Sequence, residues 1–230
     1  MQDSITKKIG QELALSSFDF LEQIPNILTA PELINNPTLA VTKAIAIVGA
    51  KKIARLGEEY RKRVEMGQLK SSSNSKFSDK AEQTLLDLLK AINEGIGEDK
   101  FQAMKSLFFH SISININERG ENEAYTLLQI CNRLSGADLL VLTKLYNYRE
   151  KNNFFELKNH NAEEWFTEIC KELGMVDVTV VRQHAEVLSR ENLLSPFLGS
   201  SEGPLVAAEN LLSQLGKRLC QYILKYDSLN

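Results

Sequence analysis

Cysteine is scarce in this chain of 230 residues, and proline is absent from its long middle. The three cysteines stand in no C-x-x-C pair and at no metal-ligand spacing, so we expect neither a disulfide framework nor a metal site. Each falls within a helical apolar pattern, which favours small buried side chains in the reducing cytoplasm. The prolines leave residues 38–195 free of helix breakers and so predict a helical middle. The residues concerned are Cys131, Cys170, Cys220, Pro25, Pro31, Pro37, Pro196 and Pro204.

Motifs of the common enzyme classes are also absent. The sequence contains no P-loop, no G-x-S-x-G, no H-E-x-x-H and no G-x-G-x-x-G that follows a strand. The histidines His110, His160 and His184 are scattered, and His184 could pair with Cys170 only if two helices faced each other there. We therefore expect a protein that is not an enzyme and that holds no cofactor and no metal.

No hydrophobic run reaches the length of a membrane span, which needs about 20 apolar residues. The nearest approach is the short apolar run 44–50 within the segment Leu39–Arg63. Because basic residues follow this run, the segment suits contact with a membrane surface or an acidic partner, and the alternative is a core helix with a solvated charged end. No secretory signal is visible at the N-terminus, which favours the cytoplasm. The candidate contact residues here are Lys51, Lys52, Arg55, Arg61, Lys62 and Arg63.

Helix periodicity and end signals predict a series of helices through the first two thirds of the sequence. Asn36 and Pro37 begin a helix that runs to about Met66, and the polar segment 70–78 is predicted to be a flexible linker. The other predicted helices are one opened by Asp79 and ended by Gly95 and Gly97, one over Glu98–Glu118 that stops near Gly120, one over Glu121–Leu134, and one over Ala137–Lys151 capped by Ser135 and Asp138.

The stretch Glu168–Leu194 carries the most informative pattern in the chain. Apolar residues at spacings of three and four predict a helix over Ala162–Leu173. Asn161 and Glu164 form its expected capping pair, and Gly174 is expected to take the left-handed conformation that ends it. The stretch is therefore predicted to form two short helices around a glycine turn, followed by a strand.

After the glycine turn, a second helix is predicted over Val180–Glu191, with Thr179 as its N-cap and Asn192 as its left-handed stop. The two helices resemble the winged helix-turn-helix superfamily of small bacterial regulators, in which E-L-A-x-E-L-G precedes a T-V-x-R helix and V-L-x-x-x-G-L-I. Here the turn is one residue longer and Asn192 replaces the usual glycine, which asparagine can do because it also adopts positive φ. The matching positions are 168–174, 179–184, 187–194 and, for the end of the wing, 212–219.

The resemblance covers residues 135–226 and implies that a strand and a small β-hairpin, the wing, follow the second helix. The expected fold class is therefore mainly α, with a multi-helix region over 1–134 and a winged-helix-like domain over 135–230. The order of elements is also similar, more weakly, to the abortive-infection alpha-type helical proteins of bacteria. That second resemblance would imply a role in phage defence, and no functional residue can be transferred from it.

Charge determines which partner this module is expected to bind. Between residues 161 and 192, three basic residues stand against seven acidic ones, a local net charge of −4, and the predicted wing over 195–210 has no Lys or Arg. Neutralisation of phosphates by Lys and Arg supplies most non-specific DNA affinity, and this acidic segment has few such residues. Protein binding or self-association is therefore the leading hypothesis. The rivals are a DNA-binding transcriptional regulator and a peripheral membrane protein. The candidate partner or base contacts on the second helix are Thr179, Arg182, Gln183 and Glu186.

Overall fold

The protein is mainly α-helical, as the sequence predicts. The computed structural model describes residues 40–71, 77–151, 162–175, 177–195 and 212–227, and these form eight helices. Across those ranges there is no β-strand, and β-pairing is limited to two isolated antiparallel bridges. The helices are α1 (Ala40–Glu65), α2 (Asp79–Asn93), α3 (Glu98–Ser111), α4 (Glu118–Arg133), α5 (Gly136–Lys151), α6 (Ala162–Glu172), α7 (Val178–Arg190) and α8 (Gln214–Asp227).

The chain divides into two compact units, each with its own buried core. The first unit comprises residues 1–97 and 104–128, and the second comprises 98–103 and 129–230. Side chains that fill the first core include Leu56, Tyr60, Leu85, Leu88, Leu107, Phe108 and Phe109, and those that fill the second include Leu142, Leu145, Trp165, Phe166, Ile169, Val181, Leu188 and Leu219. Burial of this apolar surface is the main term that favours folding of each unit.

The predicted linker over 70–78 is anchored at both ends within the first unit. At its start, the backbone N–H of Lys70 donates to the carbonyl of Ile112 at 2.9 Å, and the Tyr60 hydroxyl donates to the carbonyl of Lys70 at 3.1 Å. Near its end, the Phe77 side chain is buried. The residues between, 72–76, lie outside the described ranges, and their flexibility stays a prediction. Both flanks of the segment therefore belong to one unit.

Helix α1 ends where a glycine permits the chain to turn back. Gly67 has a φ of 67°, and the N–H of Gln68 donates to the carbonyl of Arg63 at 2.9 Å, as in a Schellman cap. The predicted end of this helix near Met66 is confirmed. Its predicted start at 36–37 lies outside the described residues.

Helix α2 begins at Asp79, as predicted, but the residue that caps it is Ser78. Ser78 is the N-cap, and its Oγ accepts from the N–H of Ala81 at 3.2 Å, so Asp79 is the first helical residue. The carboxylate of Asp79 still favours this end, because negative charge interacts well with the positive end of the helix dipole. The predicted glycine end is confirmed, since α2 stops at Asn93 and Gly95 has a φ of 82°.

The prediction of one helix over Glu98–Glu118 is wrong, because α3 ends at Ser111. The apolar positions in 112–117, I-S-I-N-I-N, fit a helical spacing of four, but they also alternate with period two. The structure follows neither pattern: the chain turns after α3, and within the turn Ser113 forms an isolated antiparallel bridge with Leu69. A tertiary contact within the first unit therefore accompanies the end of α3, and the local sequence pattern does not show it.

Helix α4 consequently starts three residues before its predicted start at Glu121. Asn117 caps it, with its Oδ1 accepting from the N–H of Gly120 at 2.9 Å. Gly120 therefore lies in the first turn of α4 and does not stop the preceding helix. The predicted end near Leu134 agrees with the observed end at Arg133.

Two predicted end signals in the second unit are confirmed. Ser135 and Asp138 form a reciprocal capping box at the start of α5: the Ser135 N–H donates to Asp138 Oδ2 at 2.7 Å, and the Asp138 N–H donates to Ser135 Oγ at 3.1 Å. Gly174 follows α6 with a φ of 62°, and the N–H of Met175 donates to the carbonyl of Cys170 at 3.0 Å. The chain therefore reverses after α6 as expected.

Helix α7 begins earlier than predicted, and Thr179 is not its N-cap. Asp177 has that role, because its side chain accepts from the N–H of Thr179 at 2.8 Å and so allows the helix to start at Val178. The predicted left-handed stop is confirmed at Asn192, whose φ is 58°. The predicted capping residue of the preceding helix, Asn161, lies outside the described residues.

The predicted closing strand and β-hairpin are not found in the described residues. After α7, Leu194 and Leu212 form one isolated antiparallel bridge, and residues 196–211 between them lie outside the described ranges. The pairing does not continue past Leu212 because Ser213 already caps α8, with its Oγ accepting from the N–H of Gly216 at 2.9 Å. The bridge nevertheless brings Leu194 and Leu212, which flank the predicted wing, side by side.

Candidate partner-binding surface

Helix α7 carries the second-helix candidates that the sequence singles out, and all of them are exposed. The side chains of Val181, Ala185 and Leu188 on its other face are buried, and α7 packs against α5 and α6. Exposed residues at spacings of three and four lie on one side of a helix. We define the α7 strip as the exposed residues Thr179, Arg182, Gln183, Glu186 and Arg190.

The α7 strip carries two arginines and one glutamate, in contrast to the acidic character of the whole stretch. Within it, Glu186 Oε2 lies 3.9 Å from the guanidinium of Arg190. Three other acidic residues of the stretch pair with cations of the same unit. These ion pairs are Glu168 with Lys171 at 2.6 Å, Glu172 with Lys144 at 3.3 Å and Glu191 with Arg133 at 2.6 Å. The net charge of −4 therefore overstates the negative charge of the α7 strip.

The neighbouring residue His184 attaches α7 to the start of α5. Its Nδ1 lies 2.8 Å from Asp138 Oδ1, and because an ionised carboxylate only accepts, His184 donates this hydrogen bond. Asp138 Oδ2 also accepts from the backbone N–H and the hydroxyl of Ser135, both at 2.7 Å. Burial acts to raise the pKa of Asp138, but the hydrogen bonds from Ser135 and His184 outweigh it and lower the pKa below its ordinary value. The ionised carboxylate thereby fixes the orientation of the α7 strip.

The Cys170–His184 pair that the sequence leaves open does not form. Cys170 Sγ donates to the carbonyl of Met175 at 3.2 Å, whereas the His184 ring bonds a carboxylate. All three cysteines are buried, as predicted, and burial raises the pKa of Cys131 to about 12 and that of Cys220 likewise above its ordinary value. Such thiols stay protonated and are poor nucleophiles. Among the residues that the structure describes, no three His, Cys, Asp or Glu side chains lie together as a metal site.

The six basic candidates of α1 fall into two groups. Lys52 and Arg63 are buried, with 6% and 4% of their surfaces exposed, and the Lys52 ammonium donates to the carbonyl of Ile96. These two cations stabilise the first unit and are not presented to a partner. The exposed candidates are Lys51, Arg55, Arg61 and Lys62, and Glu58 and Glu65 are exposed on the same helix.

Arg63 belongs to a charged network inside the first unit. Its Nε and NH2 donate to Glu59 Oε1 at 3.0 and 2.8 Å, and its guanidinium lies 5.3 Å from the centre of the Phe109 ring. Lys105 completes the network by donating to Glu59 Oε2 at 2.6 Å. Because both carboxylate oxygens and both cations are paired, the cost of burying these charges is offset. The network therefore has a structural role.

Arg190 is a member of the α7 strip that the sequence-based candidates omit. The signal was present, because Arg190 follows Glu186 by four residues and so continues the same helical face. The predicted wing contributes nothing that can be compared, since residues 196–210 lie outside the described ranges.

No family model, no curated protein and no solved structure matches this chain. Within the described ranges, no helix combines the length and the apolar character that crossing a bilayer requires. The winged-helix resemblance accordingly stays a prediction from the residues quoted for it.

Proposed function

We propose that this chain is a non-enzymatic cytoplasmic protein whose second unit is a winged-helix-like module that binds another protein or a second copy of itself. The order of α5, α6 and α7, the turn at Gly174 and the position of α8 after the Leu194–Leu212 bridge support the winged-helix part. A wing would begin at that bridge. NMR should detect cross-strand contacts that extend from it into 195–211, and their absence would contradict the winged-helix part.

The α7 strip is the observation that carries the binding part of the proposal. It lies on a helix whose opposite face is buried, so the helix that presents these side chains is held in place, and Val180 beside it is 39% exposed. The strip offers hydrogen-bond donors, acceptors and charges of both signs, which suit a protein surface with a complementary pattern. A row of phosphates would be attracted by Arg182 and Arg190 and repelled by Glu186.

Photo-crosslinking tests this binding role directly. A photoreactive side chain at Gln183 of the full-length protein should form an adduct with a protein, and Arg182→Glu should abolish that adduct by reversing a charge one residue away. The same side chain at Leu86, which is 38% exposed on α2, is the matched control and should give no such adduct. Equal adducts at both positions, or none at Gln183, would contradict the proposal.

DNA binding is a second candidate function, and the exposed neighbours Arg182 and Gln183 favour it. Both residue types can read base edges in the major groove, and pairing of three acidic residues elsewhere in the unit reduces the repulsion of phosphate. Against it, the sequence places Glu163 and Glu164 at the start of α6, where a helix-turn-helix protein turns backbone N–H groups toward phosphate. The balance therefore stays with a protein partner.

Fluorescence anisotropy with a random DNA duplex separates the two candidates. If only Arg182 and Arg190 met phosphates, affinity would fall roughly tenfold between 50 and 200 mM salt, whereas a module with six to ten phosphate contacts loses roughly 10³–10⁵. We expect weak binding with the shallow dependence. Tight binding whose affinity falls steeply with salt would contradict the protein-binding proposal and favour DNA binding.

A peripheral membrane role is the remaining alternative for α1. It would use the exposed Lys51, Arg55 and Lys62, but Glu58 and Glu65 lie on the same helix and reduce the attraction to anionic lipid. The side chains of 44–47 in the adjoining apolar run lie outside the described residues. We expect no sedimentation of the protein with anionic vesicles, and salt-sensitive sedimentation would establish this alternative.

The weaker resemblance to abortive-infection proteins adds a proposal about the biological setting. If the chain acts in phage defence through the α7 strip, its expression in a sensitive bacterium should lower the number of phage plaques, and Arg182→Glu should restore it. An unchanged plaque number across a panel of phages would remove this setting while leaving the binding proposal in place.

A further inference from the structure

Opposite charges follow one another along the α7 strip at intervals of one helical turn. Arg182, Glu186 and Arg190 are each four residues apart, and all three are exposed. We propose that the α7 strip binds the α7 strip of a second copy of this chain, antiparallel and about a two-fold axis, so that Arg182 of each copy meets Glu186 of the other. This inference rests on the proposed function, because it names the partner of the same surface.

The positions of the charges select the antiparallel arrangement. If the two-fold axis passes at the level of His184, Arg182 lies about 3 Å along the helix axis on one side and Glu186 about 3 Å on the other, since each residue rises about 1.5 Å. A two-fold operation then places each Arg182 opposite Glu186 of the partner subunit, and Thr179 lies within about 1.5 Å, along the helix axis, of the level of Arg190 of the partner subunit. A parallel arrangement would instead place like charges together.

Two further features of α7 favour a specific pairing of this kind. The exposed Val180 adjoins the strip and adds apolar area, and the bond between His184 and Asp138 fixes the helix on its inner side. The first adds to the area that association would bury, and the second reduces the backbone freedom that association must remove. One pair of helices buries less than about 1,200 Å², the size class of weak and transient complexes, so the dimer should form only at high concentration.

Charge swapping in the full-length protein tests the pairing. Sedimentation velocity over a concentration series up to about 1 mM should show reversible dimerisation of the wild type. Arg182→Glu alone and Glu186→Arg alone should each weaken the dimer roughly tenfold, because two attractions become two repulsions. The double variant Arg182→Glu/Glu186→Arg should restore dimerisation to within about threefold. An equimolar mixture of the two single variants should form a mixed dimer.

The controls separate loss of pairing from loss of folding and from failure of the proposed function. Lys62→Glu reverses an exposed charge in the first unit and should leave dimerisation unchanged, while the buried Trp165 reports by its fluorescence that each variant is folded. A monomeric wild type at about 1 mM, or a dimer indifferent to the swaps, would overturn the pairing. In either event, an adduct of Gln183 with a different protein would leave the proposed function standing.

Discussion

Removal of the Asp138 carboxylate should strongly destabilise the second unit, because three hydrogen bonds end on it. In Asp138→Ala, the capping box at α5 loses one partner, which costs about 1 kcal/mol. The bond from His184 to an ionised carboxylate is also lost, and leaving its donor and the Ser135 N–H unpaired costs about 2 kcal/mol more. We therefore expect the free energy of unfolding to fall by about 3 kcal/mol.

The single tryptophan makes this loss measurable in the right unit. Trp165 is fully buried in the second unit, so its fluorescence in a urea titration reports the unfolding of that unit. In a double-mutant cycle, Asp138→Ala and His184→Ala should show a coupling of about 1 kcal/mol. Glu186→Ala, an exposed change on the same helix as His184, should stay within about 0.5 kcal/mol of the wild type. A loss below about 1 kcal/mol, or no coupling, would refute the assigned role of this bond.

The acid dependence of stability provides an independent check on Asp138. Its pKa is lowered in the folded protein, so the ionised form contributes stability that is fully present above the unfolded pKa, near 4, and is lost as pH falls through the folded pKa. The difference in unfolding free energy between wild type and Asp138→Asn should therefore be constant at neutral pH and shrink below about pH 4. A difference that does not change with acid would mean that the carboxylate is not preferentially ionised in the fold.

Three further substitutions test other parts of the structure. Gly216→Ala would bring a Cβ into collision with the carbonyl of Leu193. Although Ala favours helices, the free energy of unfolding measured by Trp165 fluorescence should fall by about 2 kcal/mol. Gly136→Ala, whose Cβ would meet only ordinary contacts, is the control and should be neutral or stabilising. Trp165 Nε1 is buried without a hydrogen-bond partner among the described residues, so Trp165→Phe removes no hydrogen bond to them. In circular-dichroism melts, this change should lower the free energy of unfolding by less than about 1.5 kcal/mol. Trp165→Ala, which leaves a cavity, should lower it by roughly 3–5 kcal/mol. Glu59→Ala leaves two buried cations without their shared carboxylate, and the same melts should show a loss of about 3 kcal/mol in the first unit.

The helix ends that the sequence predicts correctly are those that depend only on the chemistry of a few neighbouring residues. Gly67, Gly174 and Asn192 adopt positive φ, and only glycine and asparagine do so at small cost. The capping box of Ser135 and Asp138 also needs nothing beyond four consecutive residues. These features are local, so a single sequence contains the whole of their cause.

The predictions that fail depend on competition between neighbouring residues or on distant contacts. Ser78 and Asp177 each cap a helix in place of a nearby residue that could also accept, and the choice depends on which side chain reaches a free N–H first. The end of α3 depends on the bridge between Ser113 and Leu69, which are far apart in sequence. No local propensity includes the energy of that bridge.

The charges of the candidate site show the same difference between what neighbouring residues determine and what depends on distant contacts. A count along the sequence treats Glu191 and Glu186 alike, yet Glu191 is closely paired with Arg133, 58 residues away, at 2.6 Å, while Glu186 is exposed on the α7 strip and lies 3.9 Å from Arg190. A partner responds to the potential of the surface it meets, in which a closely paired charge is cancelled to a greater extent than an exposed, loosely paired one. The net charge of the segment is therefore a poor guide to its partner, whereas the alternation of Arg182, Glu186 and Arg190 on one face is a specific pattern. A second copy of the same face is complementary in one antiparallel register, since a two-fold axis at the level of His184 places each Arg182 opposite Glu186 of the partner subunit.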